Sequence, residues 1–401
     1  MLAKYLKFLP ALALGLAWPT DGFALGIRLF DHDAFATARG DAFVATADNP
    51  SAIYYNPAGI TQLKGQNLRG ALSVISVDAG FESRSSRNVG TKTDFMPLPG
   101  IFYTYSPEDC PLSFGVGYYM PFGLSLEWPE NGPFRATTIH GELQHHTLNP
   151  VVAWQVTKTL SLAAGPTLNY AYADLRRGVF SSGDQFKFIG TDFGLGATAG
   201  LLWQPAVKHS FGISYRSPTT LNLEGKSEVS PSSYGIPKQS AKAALPMPQV
   251  LIAGYSYRPT PQWNLEVDLD WTDWSRVNTV VLKQGTPPGN VALPFNWKSS
   301  FGVEAGVTRY FDNGLHLSAG YVYLQNSVPT KDFNPLVPDQ DLHVFSAGLG
   351  GQLSKKLSWD ATYQFSYGPG REVAGSSYGS TVVGHYTFIA NAFSLSLGYH
   401  F

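Results

Sequence analysis

The stretch "WNLEVDLDWTDW" limits this chain more than any other. Trp263, Leu265, Val267, Leu269 and Trp271 alternate with Asn264, Glu266, Asp268, Asp270 and Thr272. Successive side chains of a strand leave opposite faces, so this is a strand with one apolar face and one face bearing three carboxylates. The alternation recurs in Phe301, Val303, Ala305 and Val307, in Leu315, Leu317, Ala319, Tyr321 and Tyr323, and in the terminal Phe393, Leu395, Leu397, Tyr399 and Phe401. In a soluble sandwich the apolar side would be the core. Here almost every long strand has one, and the opposite faces mix Gly, Ser and isolated acids. Charged residues make up only 14% of the chain, equal to the aromatic share, against about 25% charged in an ordinary soluble domain. Much of the surface therefore faces something other than water. A net charge of -1 implies no nucleic-acid partner.

Strand candidates fall near 67–80, 99–106, 111–127, 143–157, 159–174, 190–204, 209–224, 248–258, 262–283, 297–311, 314–327, 342–354, 356–368 and 388–401, fourteen in all. Their connections alternate in length. "SPEDCP", "TK", "PAVK", "RPTPQ", "FDNG" and "SKK" are short, while 128–142, 225–247, 284–296, 328–341 and 369–387 are long. An even number of alternating strands, with short turns at one end and long loops at the other, is the pattern of a closed outer-membrane barrel. The fold class expected is all-β, a 14-stranded antiparallel transmembrane barrel. Trp154, Trp203, Trp263, Trp359, Tyr257, Tyr310 and Tyr399 lie beside the short turns, where amphipathic rings would form a girdle at the headgroups.

Residues 1–24 read as a secretory signal. Lys4 and Lys7 form its basic end, Phe8 to Trp18 its apolar core and Gly22-Phe23-Ala24 its cleavage site. One cysteine, Cys110, rules out an internal disulfide. Residues 25–66 show no strand alternation and are too few for a separate stable domain, so their economical place is inside the barrel (67–401), as a hatch against the wall.

Several pieces, in this order, resemble the FadL-type outer-membrane transporters of long-chain fatty acids and other hydrophobic compounds. They are "RGDAFVATADNPSAIYYNPAGI", "MPFGLSLEW", "TLNPVVAWQVTKTLSLAAGPTLNY", "SYRSPTTLNLEG", "DWTDWSRV" and the terminal "LGYHF". The resemblance runs from Leu25 to Phe401. It implies a monomer in the outer membrane of a Gram-negative bacterium, among lipid and lipopolysaccharide, with a barrel closed by an N-terminal hatch. It also implies that a hydrophobic ligand binds near the hatch, that the mature N-terminus moves, and that the ligand leaves sideways through a gap at a kink in the third strand.

The residues support particular roles. Asn56-Pro57-Ala58-Gly59 is a credible tight hatch turn: Pro57 fixes φ, Asn56 can bond back to the backbone and Gly59 permits left-handed geometry. Pro121, Phe122 and Gly123 interrupt the third strand. Proline in a strand marks a bulge or the strand's end, and both readings stand at this point. Leu25, Ile27, Leu29 and Phe30 offer apolar wall for a ligand, and Arg28, Arg135, His145 and His146 are candidates for a carboxylate head group. The acids at 266, 268, 270, 304 and 360 are too scattered for a metal site and are expected to pair with hatch arginines such as Arg28 or Arg39. No catalytic residue, metal or cofactor site is expected: the nine histidines lack metal or triad spacing.

These features favour passive, hatch-gated transport of a fatty acid or similar hydrophobic molecule, with aromatic or alkane hydrocarbons as the alternative ligand. A general porin has no need of a forty-residue plug, and for a barrel enzyme the histidines offer no metal or triad spacing.

Overall fold

The computed structural model describes residues 26–83 and 88–401. The signal expected at 1–24 and the ligand candidate Leu25 lie outside the described residues. The wall consists of β1 (Gly65–Glu82), β2 (Asp94–Ser106), β3 (Leu112–Glu127), β4 (His140–Gln155), β5 (Leu160–Arg177), β6 (Gln185–Ala206), β7 (His209–Arg216 with Thr219–Ser230), β8 (Gln239–Met247 with Val250–Thr260), β9 (Trp263–Thr272 with Thr279–Gln284), β10 (Val291–Pro294 with Ser300–Tyr310), β11 (Leu315–Leu324), β12 (Leu342–Gln352), β13 (Leu357–Val373) and β14 (Gly384–His400). Neighbours pair antiparallel in chain order, and β14 returns to β1 in an unbroken register from Asn67↔His400 to Glu82↔His385. The barrel is closed, so no sheet edge remains between first and last strands to meet lipid. β7 breaks at Ser217-Pro218 and β8 at Pro248-Gln249, because proline has no N–H for the ladder.

The faces are inverted relative to a soluble protein. On β9, Leu265, Val267 and Leu269 are 43%, 48% and 59% exposed, whereas Glu266, Asp268 and Asp270 are at most 3% exposed. Apolar side chains point outward and carboxylates inward, as a bilayer outside and protein inside require. Trp154, Trp203, Trp263, Tyr257 and Tyr399 are exposed beside the short turns. Tyr310 is a correction to the girdle. It lies on the inward face of β10 and packs against the hatch core, because it shares the register of Glu304 and Thr308.

Segments expected as long loops are partly strand. β7 runs on to Ser230 and β8 resumes at Gln239, so only 231–238 connects them. Within 284–296, Val291–Pro294 pairs with the far end of β9. Cross-strand pairs such as Lys242–Glu224, at 2.6 Å, give these extensions a polar outer surface, and that polarity hides them from a pattern based on outward apolar residues.

Residues 26–64 fill the half of the barrel nearer the short turns. α1 (Ala34–Ala38) starts at Asp33, which caps it by accepting from the amides of Phe35 and Ala36. α2 (Ala52–Tyr55) leads into a 3-10 helix, Pro57–Gln62. A core of Phe43, Ile53, Tyr55, Phe102, Tyr119 and Leu202 joins this segment to the wall. Glycines on the wall make room for its backbone. A Cβ on Gly212 would collide with the main chain of Val44, and one on Gly320 with that of Gly40. Towards the long loops the interior becomes apolar, with Leu221, Leu223, Val280 and Leu282 turned inward under a cap of Phe81, Trp128, Phe134, Phe333 and Tyr386.

Candidate functional site

The ladder between β2 and β3 is incomplete. β2 and β3 pair only from Tyr105↔Phe114 to Ile101↔Tyr118. Beyond that, residues 94–100 of β2 pair only with β1 and residues 119–127 of β3 only with β4. One extra residue between Tyr119 and Phe122 shifts the β3–β4 register, and Pro121 falls inside this bulge. At the far end the two strands meet again where Ser125 Oγ donates to Asp94 Oδ2 (2.8 Å) and the Lys92 amide to the Glu127 carbonyl (2.8 Å). A window is left between Phe95–Gly100 on one side and Tyr119–Leu124 on the other.

Residues 27–29 line the window from inside and pair with the free edge of β3. The Leu29 amide donates to the Pro121 carbonyl (3.0 Å) and the Gly123 amide to the Ile27 carbonyl (2.9 Å), a single bridge with Arg28 opposite Phe122. Four further contacts fix this latch. Arg28 forms an ion pair with Asp270 and also donates to Thr272 Oγ1 (3.1 Å). Tyr54 donates its hydroxyl to the Leu29 carbonyl (3.1 Å), and the Gly26 amide donates to Asp339 Oδ2 (3.1 Å) in the 325–341 loop. The Leu29 side chain packs with Ile75, Leu98 and Met120.

Behind the latch is a cavity of about 170 Å³, lined by residues 26–31, by the loop residues Val337–Gln340, and by apolar side chains of β1, β11 and β12. Asp31 and Asp339 both face it. Burial pushes the Asp31 carboxyl up to about 8, with Asp41 adding to the effect, and burial raises Asp339 to about 7 against its hydrogen bonds from Gly26 and Ser327. Leu336 and Val337 separate this space from a smaller apolar cavity of about 60 Å³ nearer the long loops.

The hatch turn is buried. Asn56 donates through Nδ2 to the carbonyls of Val44 (2.7 Å) and Leu201 of β6 (2.9 Å), and its Oδ1 accepts from the Ala58 amide (3.2 Å). One side chain thus caps the 3-10 helix, holds the hatch to itself and ties it to the wall. Pro57 occupies the first helical position, where its missing N–H costs nothing. Ala58 is fully buried. Gly59 does not adopt the expected left-handed φ. It is needed because a Cβ would strike the Ala47 carbonyl and methyl. Asn56→Ala should cost the hatch about 1–3 kcal/mol through unpaired buried groups. Limited proteolysis of the hatch should accelerate while heat-modifiability of the barrel on gels stays unchanged.

The four head-group candidates do not converge. Arg28 lines the cavity but is already paired. His145 is buried on the lumen face, stacked on Phe122 at 5.5 Å between ring centroids. His146 faces outward between Tyr118 and Tyr170, one residue out of phase with the lumen. Arg135 sits in the 128–139 loop, 2.7 Å from Asp184 of the next long loop. Ile27, Leu29 and Phe30 all line the cavity. Sequence reading missed the loop residues Val337–Gln340, because nothing in a loop's local pattern shows that it folds back into a barrel.

The strand acids hold the hatch. Asp268 Oδ2 accepts from the amides of Phe43 (2.9 Å) and Val44 (3.0 Å). Glu266 accepts from the amides of Ala45 (2.7 Å) and Thr46 (3.2 Å) and pairs with Arg39 at 3.2 Å. Asp360 pairs with Arg69 of β1 (2.6 Å) and meets His316 (2.7 Å). The expected pairing of Arg28 and Arg39 with the β9 acids is present.

A closed barrel with an internal segment and a latched wall opening can be set beside known proteins. Residues 18–401 match the family model described as "Outer membrane protein transport protein (OMPP1/FadL/TodX)". The chain belongs to this family. The Long-chain fatty acid transport protein of Escherichia coli O6:H1 is 23% identical, with 89% of this chain and 90% of that protein covered. Outer membrane protein P1 of Haemophilus influenzae (strain Rd) is 24% identical, over 81% of this chain and 82% of that one. Among solved structures, a Pseudomonas aeruginosa FadL homologue superposes with a TM-score of 0.82 at 18% identity, covering 94% of this chain and 99% of that one. The Ralstonia pickettii toluene transporter TbuX gives 0.72 at 18% identity, covering 93% and 99%. The protein is an outer-membrane transport barrel for hydrophobic compounds.

Proposed function

We propose that a hydrophobic molecule enters this barrel from the long-loop end, passes the apolar upper lumen to the cavity behind residues 27–31, and leaves into the bilayer through the window between β2 and β3. The latch at Ile27–Leu29 is the gate, and the flow is passive. The observation that carries this reading is the pairing of the N-terminal segment with the free edge of β3 directly across the window. A lateral exit lets an apolar solute stay out of water throughout, so no desolvated surface is re-exposed on the way.

The inner wall above the hatch also supports an apolar cargo. A porin for polar solutes needs a water-filled, polar lumen, whereas here Leu221, Leu223, Val280 and Leu282 face inward. The Escherichia coli relative is a long-chain fatty acid transport protein and the Ralstonia pickettii neighbour is a toluene transporter. Both cargoes are apolar enough for the inward-facing leucines and valines of the upper lumen.

Deleting Pro121 tests the reading. It removes the one extra residue that offsets β3 from β4 and restores an N–H at that position of the ladder. Uptake of radiolabelled oleate and of toluene by cells expressing the variant should fall at least tenfold, with surface expression unchanged. Uptake at the wild-type rate from a correctly assembled variant would exclude the lateral route.

A further inference from the structure

The cavity behind the latch contains polar atoms that the protein itself leaves unmet. Asp31 Oδ1, Gln340 Nε2 and Gln364 Oε1 are each buried without a hydrogen-bond partner, although the Gln364 amide lies close enough to the Asp31 carboxyl group to interact with it, and their residues are only 4%, 2% and 6% exposed. All three residues line the same cavity. The Gln340 amide is oriented by its surroundings, since its Oε1 accepts from the Gly370 amide at 2.9 Å and leaves Nε2 as an unused donor. Buried polar atoms are almost always paired, so three unpaired ones around a single space point to a missing partner.

The charges around this space restrict that partner. Arg28 is the one cation among the described lining residues, and its guanidinium is committed to Asp270 and Thr272. Four aspartates, at 31, 41, 94 and 339, share the lining. An anionic head group would find no unpaired cation and would lie among carboxyl groups, which is costly away from water. A hydroxyl can donate to Asp31 or Gln364 and accept from Gln340 without bringing charge. The size also fits a ring: about 170 Å³ compares with the ~150 Å³ apolar cavity that accepts benzene in another protein.

We propose that this cavity selects an uncharged hydrophobic molecule bearing one hydroxyl group, such as an alkylphenol, over carboxylates and over plain hydrocarbons, using Asp31, Gln340 and Gln364 as hydrogen-bond partners. This rests on the reading of the cavity as a station on the transport route.

Three ligands of nearly equal size separate the possibilities: p-cresol, p-xylene and 4-methylbenzoate, titrated calorimetrically at pH 8 into purified full-length protein, with empty micelles as the blank. p-Cresol should bind about tenfold more tightly than p-xylene, and 4-methylbenzoate more weakly than either. In Gln364→Leu and Gln340→Leu the cresol advantage should shrink to threefold or less, while p-xylene affinity is kept or improved. Equal affinity for cresol and xylene, or tighter binding of the benzoate, would overturn the hydroxyl preference and leave the transport route standing. Binding of none of the three would remove the cavity from the route altogether.

Discussion

Oxidation of the double variant Arg28→Cys, Phe122→Cys should stop transport, and a reductant should restore it. Arg28 and Phe122 are opposed in an antiparallel bridge whose two flanking hydrogen bonds run from Leu29 to Pro121 and from Gly123 to Ile27. This places them in a non-hydrogen-bonded pair, with Cα atoms about 4.5 Å apart, within the range a disulfide spans. The chain has one cysteine, Cys110, so the experiment is made in a Cys110→Ser background. If residues 27–29 must leave the edge of β3 for a solute to pass, a covalent link there should reduce uptake at least tenfold under oxidising conditions. Each single substitution controls for loss of the Arg28–Asp270 ion pair or of the Phe122 ring. Full uptake by a demonstrably cross-linked protein would mean that the latch is structural and that solutes pass elsewhere.

Why the latch could not be read from the sequence is a matter of range. The alternation of β9 shows itself within ten residues, because strand period is a local property and the bilayer demands the apolar face outside. Pro121 marked a discontinuity in β3 for an equally local reason: it cannot donate to the ladder. What closes the window is a contact between residues 27–29 and 121–123, almost a hundred positions apart, and it uses backbone groups that every residue possesses. No side-chain pattern announces it. Gly59 shows the same limit in miniature. Its presence in a turn suggested a left-handed conformation, whereas the packed hatch needs it for the approach of Ala47. His146 and Arg135 were plausible ligands by chemistry alone, and both were removed by geometry: one by the two-residue period of β4, the other by a loop-to-loop ion pair with Asp184.

The acids of β9 lead to the second large effect. In a wet lumen Glu266 and Asp268 would be inexpensive and dispensable. Instead both are fully enclosed, and together they accept from four consecutive hatch amides, Phe43 to Thr46. Glu266 also neutralises Arg39, which is itself completely buried. Glu266→Ala removes the acceptors and strands a guanidinium in the barrel, a change worth about 3–5 kcal/mol, a large fraction of the ~5–15 kcal/mol that holds a typical domain together. The wall has its own closed ladder of strand pairs and does not depend on those bonds. The expected result is therefore a barrel that still assembles around a hatch that unfolds: single-channel conductance in planar bilayers should rise severalfold and cells should admit hydrophilic antibiotics normally excluded. Protease should cut the hatch while the barrel keeps its heat-modifiable mobility on gels. Glu266→Gln, which keeps an acceptor for the Ala45 and Thr46 amides but loses the charge opposite Arg39, should fall between the two. If Glu266→Ala leaves conductance and hatch protection unchanged, the carboxylates are filling space and the hatch is held by its apolar core of Phe43, Ile53 and Tyr55 alone.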